Sequence, residues 1–189
     1  ELDNEDFELE QIIKNVYHLN KSAAKEKGLK FNYTIDDSLP KFIYGDRTKL
    51  MQVLMNLTAN AIKFTERDKV VKIHAQKQSQ NLVFLVEDEG IGIDSTRLES
   101  IFEPFEQEDT SVTREFGGSG LGLAISKSIV KLMEGIITVK STKEKGSVFK
   151  TFSIYLSLSG SNETCKTSVF EVPSVNLILK MPTAAVASV

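Results

Sequence analysis

The sequence predicts a two-layer α/β sandwich: a mixed, largely antiparallel sheet covered on one face by about three helices, within a chain of 189 residues. Three observations lead there. Segments with a helical apolar period carry charge on their other side, so each helix has one face to bury. Strand-like segments outnumber them and mostly succeed one another through short polar turns, which favours antiparallel pairing. Helices and strands do not alternate one for one, which argues against a doubly wound dinucleotide fold.

Residues 1–6 read as an incoming linker, because Asp3 to Phe7 is acidic and without period. From Glu8 to Lys27, Ile12, Val16, Leu19 and Ala23 recur at helical spacing, and Gly28 is placed as a stop. Leu29 to Ile35 alternates as a strand until Asp36-Asp37-Ser38-Leu39-Pro40 breaks it, and a brief strand over Phe42 to Tyr44 follows. Asp46 is a suitable N-cap for a long helix to about Thr65, with Leu50, Val53, Leu54, Leu57 and Ala61 as its buried stripe. Val70 to Gln76 and Leu82 to Glu87 form two strands around a polar turn, and a short helix is predicted over Ser95 to Ile101. Glu103 to Phe116 has no sustained period and reads as a mobile loop. A helix over Leu121 to Met133, a strand over Ile136 to Lys140, a tight turn at Lys145-Gly146 and a last strand from Ser147 to Leu156 complete the domain. Residues 7–158 are therefore read as one domain. Residues 159–189 are read as a linker or tail, with an extra strand at Val172 to Met181 or foreign sequence as alternatives.

Composition narrows the function. At 41% hydrophobic and 26% charged residues the chain has a soluble, globular make-up, without the ~18 consecutive apolar residues of a membrane span. A formal charge of −3 gives no basic footprint for nucleic acid. Cys165 stands alone, and with only His18 and His74 beside it no zinc cluster is available; a reducing, cytoplasmic setting is expected.

Three short segments carry the chemistry. In Asn56-Leu-Thr-Ala-Asn60-Ala-Ile-Lys63, three polar residues fall within an arc of roughly 60° on a helix, at the margin of the apolar stripe. Amide carbonyls there can complete the oxygen shell of Mg²⁺ without adding charge beside a polyphosphate, and the Lys63 ammonium can answer phosphate charge; alone, the same face would also serve as a solvated margin. Asp88-Glu-Gly90-Ile-Gly92 ends an apolar strand with a carboxylate and two glycines, so a ligand can approach the backbone closely. A carboxylate there can accept from the exocyclic amine of adenine, whereas a guanine carbonyl leaves acceptors unpaired at a cost of about 1–3 kcal/mol. Alone, it would be an ordinary acidic turn. Gly117-Gly118-Ser119-Gly120-Leu121-Gly122 stands directly before a helix and offers backbone N–H groups to phosphate oxygens. Arg114 lies just ahead of it, and Phe102, Phe105 and Phe116 bracket the loop, either as anchors of its ends or as nucleotide contacts. Neither a Gly-x-x-x-x-Gly-Lys-Ser/Thr loop nor a His-Arg-Asp catalytic loop is present, so another ATP architecture is needed.

With these residues in view, the chain resembles the catalytic, ATP-binding domain of sensor histidine kinases, within the Bergerat-type ATPases that also include gyrase, mismatch-repair and heat-shock chaperone ATPases. The likeness spans about residues 7 to 157. Asn56 to Phe64 resembles the N box, Asp88 to Gly92 the G1 box, Ile101-Phe102-Glu103-Pro104-Phe105 the F box and Gly118 to Gly122 the G2 box. Lys145-Gly146-Ser147-Val148-Phe149 is similar to the segment that closes the adenine pocket. The stretches from Phe105 to Asp109 and from Gly122 to Lys127 look most like hybrid kinases, whose next domain is a phosphate receiver. The resemblance implies Asn60 and Asn56 on Mg²⁺, Lys63 and Arg114 near phosphates, Phe64 and Phe149 beside the base, and residues 103–117 as an ATP lid. It implies further nucleotide contacts from Asp88, Gly90, Gly92, Ile93, Phe105, Gly118, Ser119, Gly120, Leu121, Gly122 and Leu123. Mg²⁺ with ATP is the implied cofactor and substrate. The implied partners are a phosphoacceptor-histidine dimerisation domain, through which alone the protein would form a homodimer, and a downstream receiver.

Departures from the family pattern shape the expectations. His18 precedes Leu19 and His74 precedes Ala75, so neither has the acidic follower of a family acceptor histidine, and the chain reads as an excised catalytic module. ATP-hydrolysing relatives use a glutamate base one turn before the metal asparagine; here that place is Asn56, which cannot take a proton from water. Transfer is therefore expected over hydrolysis, with a hydrolytic ATPase and a non-enzymatic nucleotide sensor as the alternatives. Finally, Phe149-Lys150-Thr151-Phe152 is one residue longer between aromatics than the usual alternation, which predicts a β-bulge.

Overall fold

The computed structural model describes residues 1–78, 81–105, 120–153 and 157–158. Among them are α1 (Leu9–Glu26), α2 (Arg47–Phe64) and α3 (Gly122–Leu132), with strands β1 (Glu5–Glu8), β2 (Lys30–Ile35), β3 (Phe42–Gly45), β4 (Val70–Gln78), β5 (Asn81–Asp88), β6 (Ile136–Thr142), β7 (Gly146–Ser153) and β8 (Ser157–Leu158). The main sheet has the order β2-β4-β5-β7-β6, and a small sheet has the order β1-β3-β8. Only β2 and β4 pair in parallel, since α2 lies between them in sequence; every other pairing is antiparallel. Helices on one face of a mixed, mostly antiparallel sheet are the predicted architecture.

Helix α2 is the spine of the layer. The Asp46 carboxylate accepts from the Lys49 N–H at 2.8 Å, capping the first turn. Leu50, Val53, Leu54, Leu57 and Ala61 are all buried, as their spacing predicts, and each of the three leucines contributes about 1.5–3 kcal/mol by leaving water. They meet Val71, Ile73, Phe84 and Val86 of the central strands in one core.

Helix α1 follows its predicted stripe only halfway. Ile12 and Val16 are buried, but Leu19 is 61% exposed, and Asn20 and Ala24 take the inner positions expected of Leu19 and Ala23. Four-residue steps from Ile12 and Val16 lead to Asn20 and Ala24, so the helical period overrides side-chain polarity. Asn20 can occupy that position because its Nδ2 donates to the Val16 carbonyl at 2.9 Å and to Met55 Sδ at 3.3 Å.

Three further expectations are corrected. The incoming linker is partly a strand: Glu5↔Gly45 to Glu8↔Phe42 pair antiparallel, and the Asp3 N–H donates to Asp46 Oδ2 at 3.0 Å. Within β1 only Phe7 is buried, so no alternation marks it in sequence, and pairing with β3 makes the strand. The short helix at Ser95 to Ile101 is two 3-10 turns, Ser95–Arg97 and Ser100–Phe102. The last strand is described over Gly146–Ser153, its predicted end at 154–156 lies outside the described residues, and Ser157–Leu158 pairs with β3. The β-bulge is absent: Phe149↔Val86, Lys150↔Leu85, Thr151↔Phe84 and Phe152↔Val83 form a regular ladder, matched without a break on the β6 side. Buried Thr151 shares the inner face with buried Phe149, so a period of two is kept without an aromatic at the next inward place. Most of the predicted loop over Glu103 to Phe116, and the tail, lie outside the described residues.

Candidate functional site

The described parts of all three motifs meet on α2. Asn56 and Phe64 are eight residues apart on it, about 12 Å along the axis, with Asn60 and Lys63 between them. At the Phe64 end lies the turn after β5: the Ile91 N–H donates to the Phe64 carbonyl at 3.1 Å, and a Cβ on Gly90 would stand 2.4 Å from that carbonyl oxygen. At the Asn56 end lies the start of α3: a Cβ on Gly122 would stand 2.4 Å from Asn56 Oδ1.

The turn is clamped from its other side by the β6–β7 connection. Gly92 has φ +67 and a Cβ there would be 2.0 Å from the Thr142 carbonyl oxygen; Gly146 has φ +99 and its Cβ would be 1.9 Å from that of Asp88. Only glycine suits either position, on backbone conformation and on space. Ser141 completes the clamp, its Oγ accepting from the Ile93 N–H at 2.8 Å and donating to the Gly146 carbonyl at 2.8 Å. The Asp88 carboxylate is half-buried in this frame, with Oδ1 accepting from the Gly90 N–H at 2.9 Å. Burial pushes its pKa above the usual carboxylate value, and backbone hydrogen bonds from Gly90 and Ser147 oppose the rise.

The geometry at the Asn56 end is built by side chains. Asn56 Nδ2 donates to Ser126 Oγ, one turn into α3, at 2.9 Å. That bond leaves Oδ1 facing Gly122, whose missing Cβ gives it room; a neutral amide oxygen of this kind is a donor type that Mg²⁺ accepts. Gly120 has φ +69, and its carbonyl accepts from the Phe105 N–H at 3.2 Å, which ties the F-box end to the start of α3. Lys127 pairs with Glu103 at 3.1 Å and lies 5.9 Å above the Phe102 ring, which meets Phe149 edge-on at 6.4 Å.

The structure thus gathers Asn56, Asn60, Lys63, Phe64, Asp88, Gly90, Gly92, Gly120 and Gly122 along one helix and the two turns seated on it. Lys63 Nζ lies 4.8 Å from the centre of the Phe64 ring, and Phe149 is buried in the core. Leu121, Leu123 and Ile93 are half-buried around these turns, whereas Phe105 is 75% exposed with φ +66. Arg114, Phe116, Gly117, Gly118 and Ser119 lie outside the described residues. Sequence reasoning missed Ser126 and Ser141, which orient Asn56 and the glycine turn. No local pattern marks them, because a serine on a helix or strand reveals its partner only after folding.

This fold and site define a class of protein. The chain belongs to the histidine kinase-, DNA gyrase B-, and HSP90-like ATPase family, whose model matches residues 45–159, more than half of the sequence. It is similar to the hybrid signal transduction protein dokA of Dictyostelium discoideum, 41% identical over 84% of this chain and 10% of that protein. It is also similar to the autoinducer 2 sensor kinase/phosphatase LuxQ of Vibrio vulnificus, 37% identical over 85% of this chain and 19% of that one. Among solved structures it is similar to full-length ShkA in complex with AMPPNP, at a TM-score of 0.74 and 30% identity over 82% of this chain and 32% of that one. The chain spans between a tenth and a fifth of the lengths of these two curated relatives.

Proposed function

We propose that this chain is the ATP-binding catalytic module of a sensor histidine kinase, which holds Mg-ATP and passes the γ-phosphoryl group to a histidine on a separate dimerisation domain. The observation that carries this reading is the seating of the glycine turn at Phe64 and the glycine-opened helix at Asn56 on opposite ends of one helix turn-pair that bears Asn60. Family membership and the similarity to a structure holding AMPPNP support it.

In this reading Asp88 accepts a hydrogen bond from the adenine amine, with Gly90, Gly92 and Ile93 giving the base close backbone approach and Phe64 and Phe149 flanking it. Asn60 and Asn56 hold Mg²⁺, which when bound supplies charge neutralisation across the phosphate oxygens. The N–H groups from Gly118 to Leu123, with Lys63 and Arg114, hold the phosphates in line for attack. The bond between the γ-phosphorus and its bridging oxygen breaks, a phosphorus–nitrogen bond to the imidazole forms, and ADP leaves. Asn56 has no basic group with which to activate water, so transfer outcompetes hydrolysis. The site acts in the cytoplasm, the homodimer forms through the dimerisation segment, and a receiver domain takes the phosphoryl group onward. Among the described residues no helix is long and apolar enough to cross a membrane.

The experiment mixes the protein, Mg²⁺ and ATP labelled at the γ-position with a histidine-bearing dimerisation segment. Acid-labile label on that histidine is the expected result. Steady phosphate release without an acceptor would establish a hydrolytic ATPase instead, and binding without any transfer a nucleotide sensor.

A further inference from the structure

The last turn of α2 has all four of its terminal carbonyls answered, two of them by a single side chain at the end of α1. Thr65 Oγ1 donates to the Ala61 carbonyl at 2.6 Å, and the Ile91 N–H donates to that of Phe64 at 3.1 Å. Lys27 Nζ donates to the Ile62 carbonyl at 2.9 Å and also to that of Lys63. A helix C-terminus leaves its last carbonyls without intrahelical donors and carries a partial negative charge, so an ammonium there is favoured on both counts.

The end of α1 is itself docked on the connection that follows α2. The Asp68 N–H donates to the Gly28 carbonyl at 3.0 Å and the Lys30 N–H to that of Lys69 at 2.9 Å. Gly28 has φ +74, a backbone conformation that favours glycine, and it packs against the Arg67 side chain. Burial lowers the Lys27 pKa, partly offset by the nearby Glu66 charge, yet the ammonium remains on the carbonyls, which replace the water it has lost.

The turn that Lys27 holds is the one on which the base side of the site rests. It carries the Lys63 and Phe64 side chains, and its final carbonyl seats Ile91 while leaving Gly90 no room for a Cβ. We infer that Lys27 is a positioning residue for the nucleotide site: through the Ile62 and Lys63 carbonyls it fixes the end of α2, and with it the glycine turn that bears the base-reading carboxylate. This rests on the reading of the site as an ATP site. It adds a contribution from α1, which supplies none of the residues proposed to touch the nucleotide.

The test compares Lys27→Met, which keeps an apolar stem, with Lys27→Arg, which keeps the charge and donors. Mg-ATP affinity is measured by calorimetry at a temperature where each variant is fully folded, and exchange of the Ile91 amide hydrogen is followed in nucleotide-free protein. Lys27→Met is expected to bind about tenfold more weakly and to exchange the Ile91 amide faster, while Lys27→Arg stays within about threefold of the parent, as fits loss and retention of charge-assisted hydrogen bonds. Lys27→Gln, an uncharged donor, replaces the methionine variant if that one does not fold, and is expected to fall between the two. Parent-like affinity and Ile91 exchange in the uncharged variant overturn the inference, whatever happens to its melting temperature. Absence of Mg-ATP binding by the parent protein would instead overturn the ATP-site reading itself.

Discussion

The two sides of the proposed nucleotide site, a base side and a phosphate side, are made differently. On the base side, backbone presses on backbone: Gly90, Gly92 and Gly146 each stand where a Cβ would come within 2.4 Å of a carbonyl oxygen, and two of the three have positive φ. On the phosphate side, side chains do the joining, through Asn56 to Ser126, Lys127 to Glu103, and the Gly122 cradle over Asn56 Oδ1. Close-packed backbone cannot yield to an added methyl group, whereas a side-chain contact can be rebuilt by a change of rotamer. The base-side glycines should therefore answer mutation by losing the fold, and side chains on either side by losing affinity.

The largest effect is expected for Gly146→Ala. A methyl group 1.9 Å from the Asp88 carbonyl oxygen, on a residue with φ +99, should destabilise the domain by about 3 kcal/mol or more. Thermal unfolding measures it, and a parent-like transition would erase the contrast between the two sides. Asp88→Asn comes next, with nucleotide affinity expected to fall by about a hundredfold in calorimetry as a charged acceptor is lost. The fold should not suffer. Because burial raises the Asp88 pKa in the folded state, its ionised form costs stability above that pKa, and the cost is relieved as pH falls through it. The asparagine variant should thus be at least as stable as the parent at neutral pH. It should also lack the parent's decline in affinity on acidification, which begins above the usual carboxylate range.

On the other side, Asn60→Asp should weaken Mg-ATP binding by about tenfold, since it sets a second negative charge against the phosphates. Unchanged affinity would remove Asn60 from the metal. Ser126→Ala frees the Asn56 carboxamide to rotate and should cost about 1 kcal/mol of binding, with a melting curve close to the parent's. A large drop in melting temperature would make this side as rigid as the other. Smallest of all, Leu19→Lys should change stability by no more than about 0.5 kcal/mol, because that side chain is 61% exposed.

Much of this was legible before folding, because the signals were local. Helix α2 could be read from its cap and stripe, Asp46 through Ala61, and its polar margin of Asn56, Asn60 and Lys63 followed from the helical period. The glycines at 90, 92, 120 and 122 announced close approach without saying to what. Signals failed where a partner elsewhere in the chain decided the matter. Glu5–Glu8 became a strand through β3, Asn20 entered the core through Val16 and Met55, and Thr151 kept the pleat regular where aromatic spacing suggested a bulge.

What the sequence by itself determined was a kit of parts: most of the elements, the family, and the residue types on which the proposed nucleotide site is built. Tertiary structure decided how those parts face one another, bringing Ser126 to Asn56 across 70 positions and Lys27 to the end of α2 across 35. The reason is physical. Periods, caps and turns are set within a few residues along the chain, whereas the satisfaction of a buried carbonyl or amide depends on which distant donor the packing brings within about 3 Å.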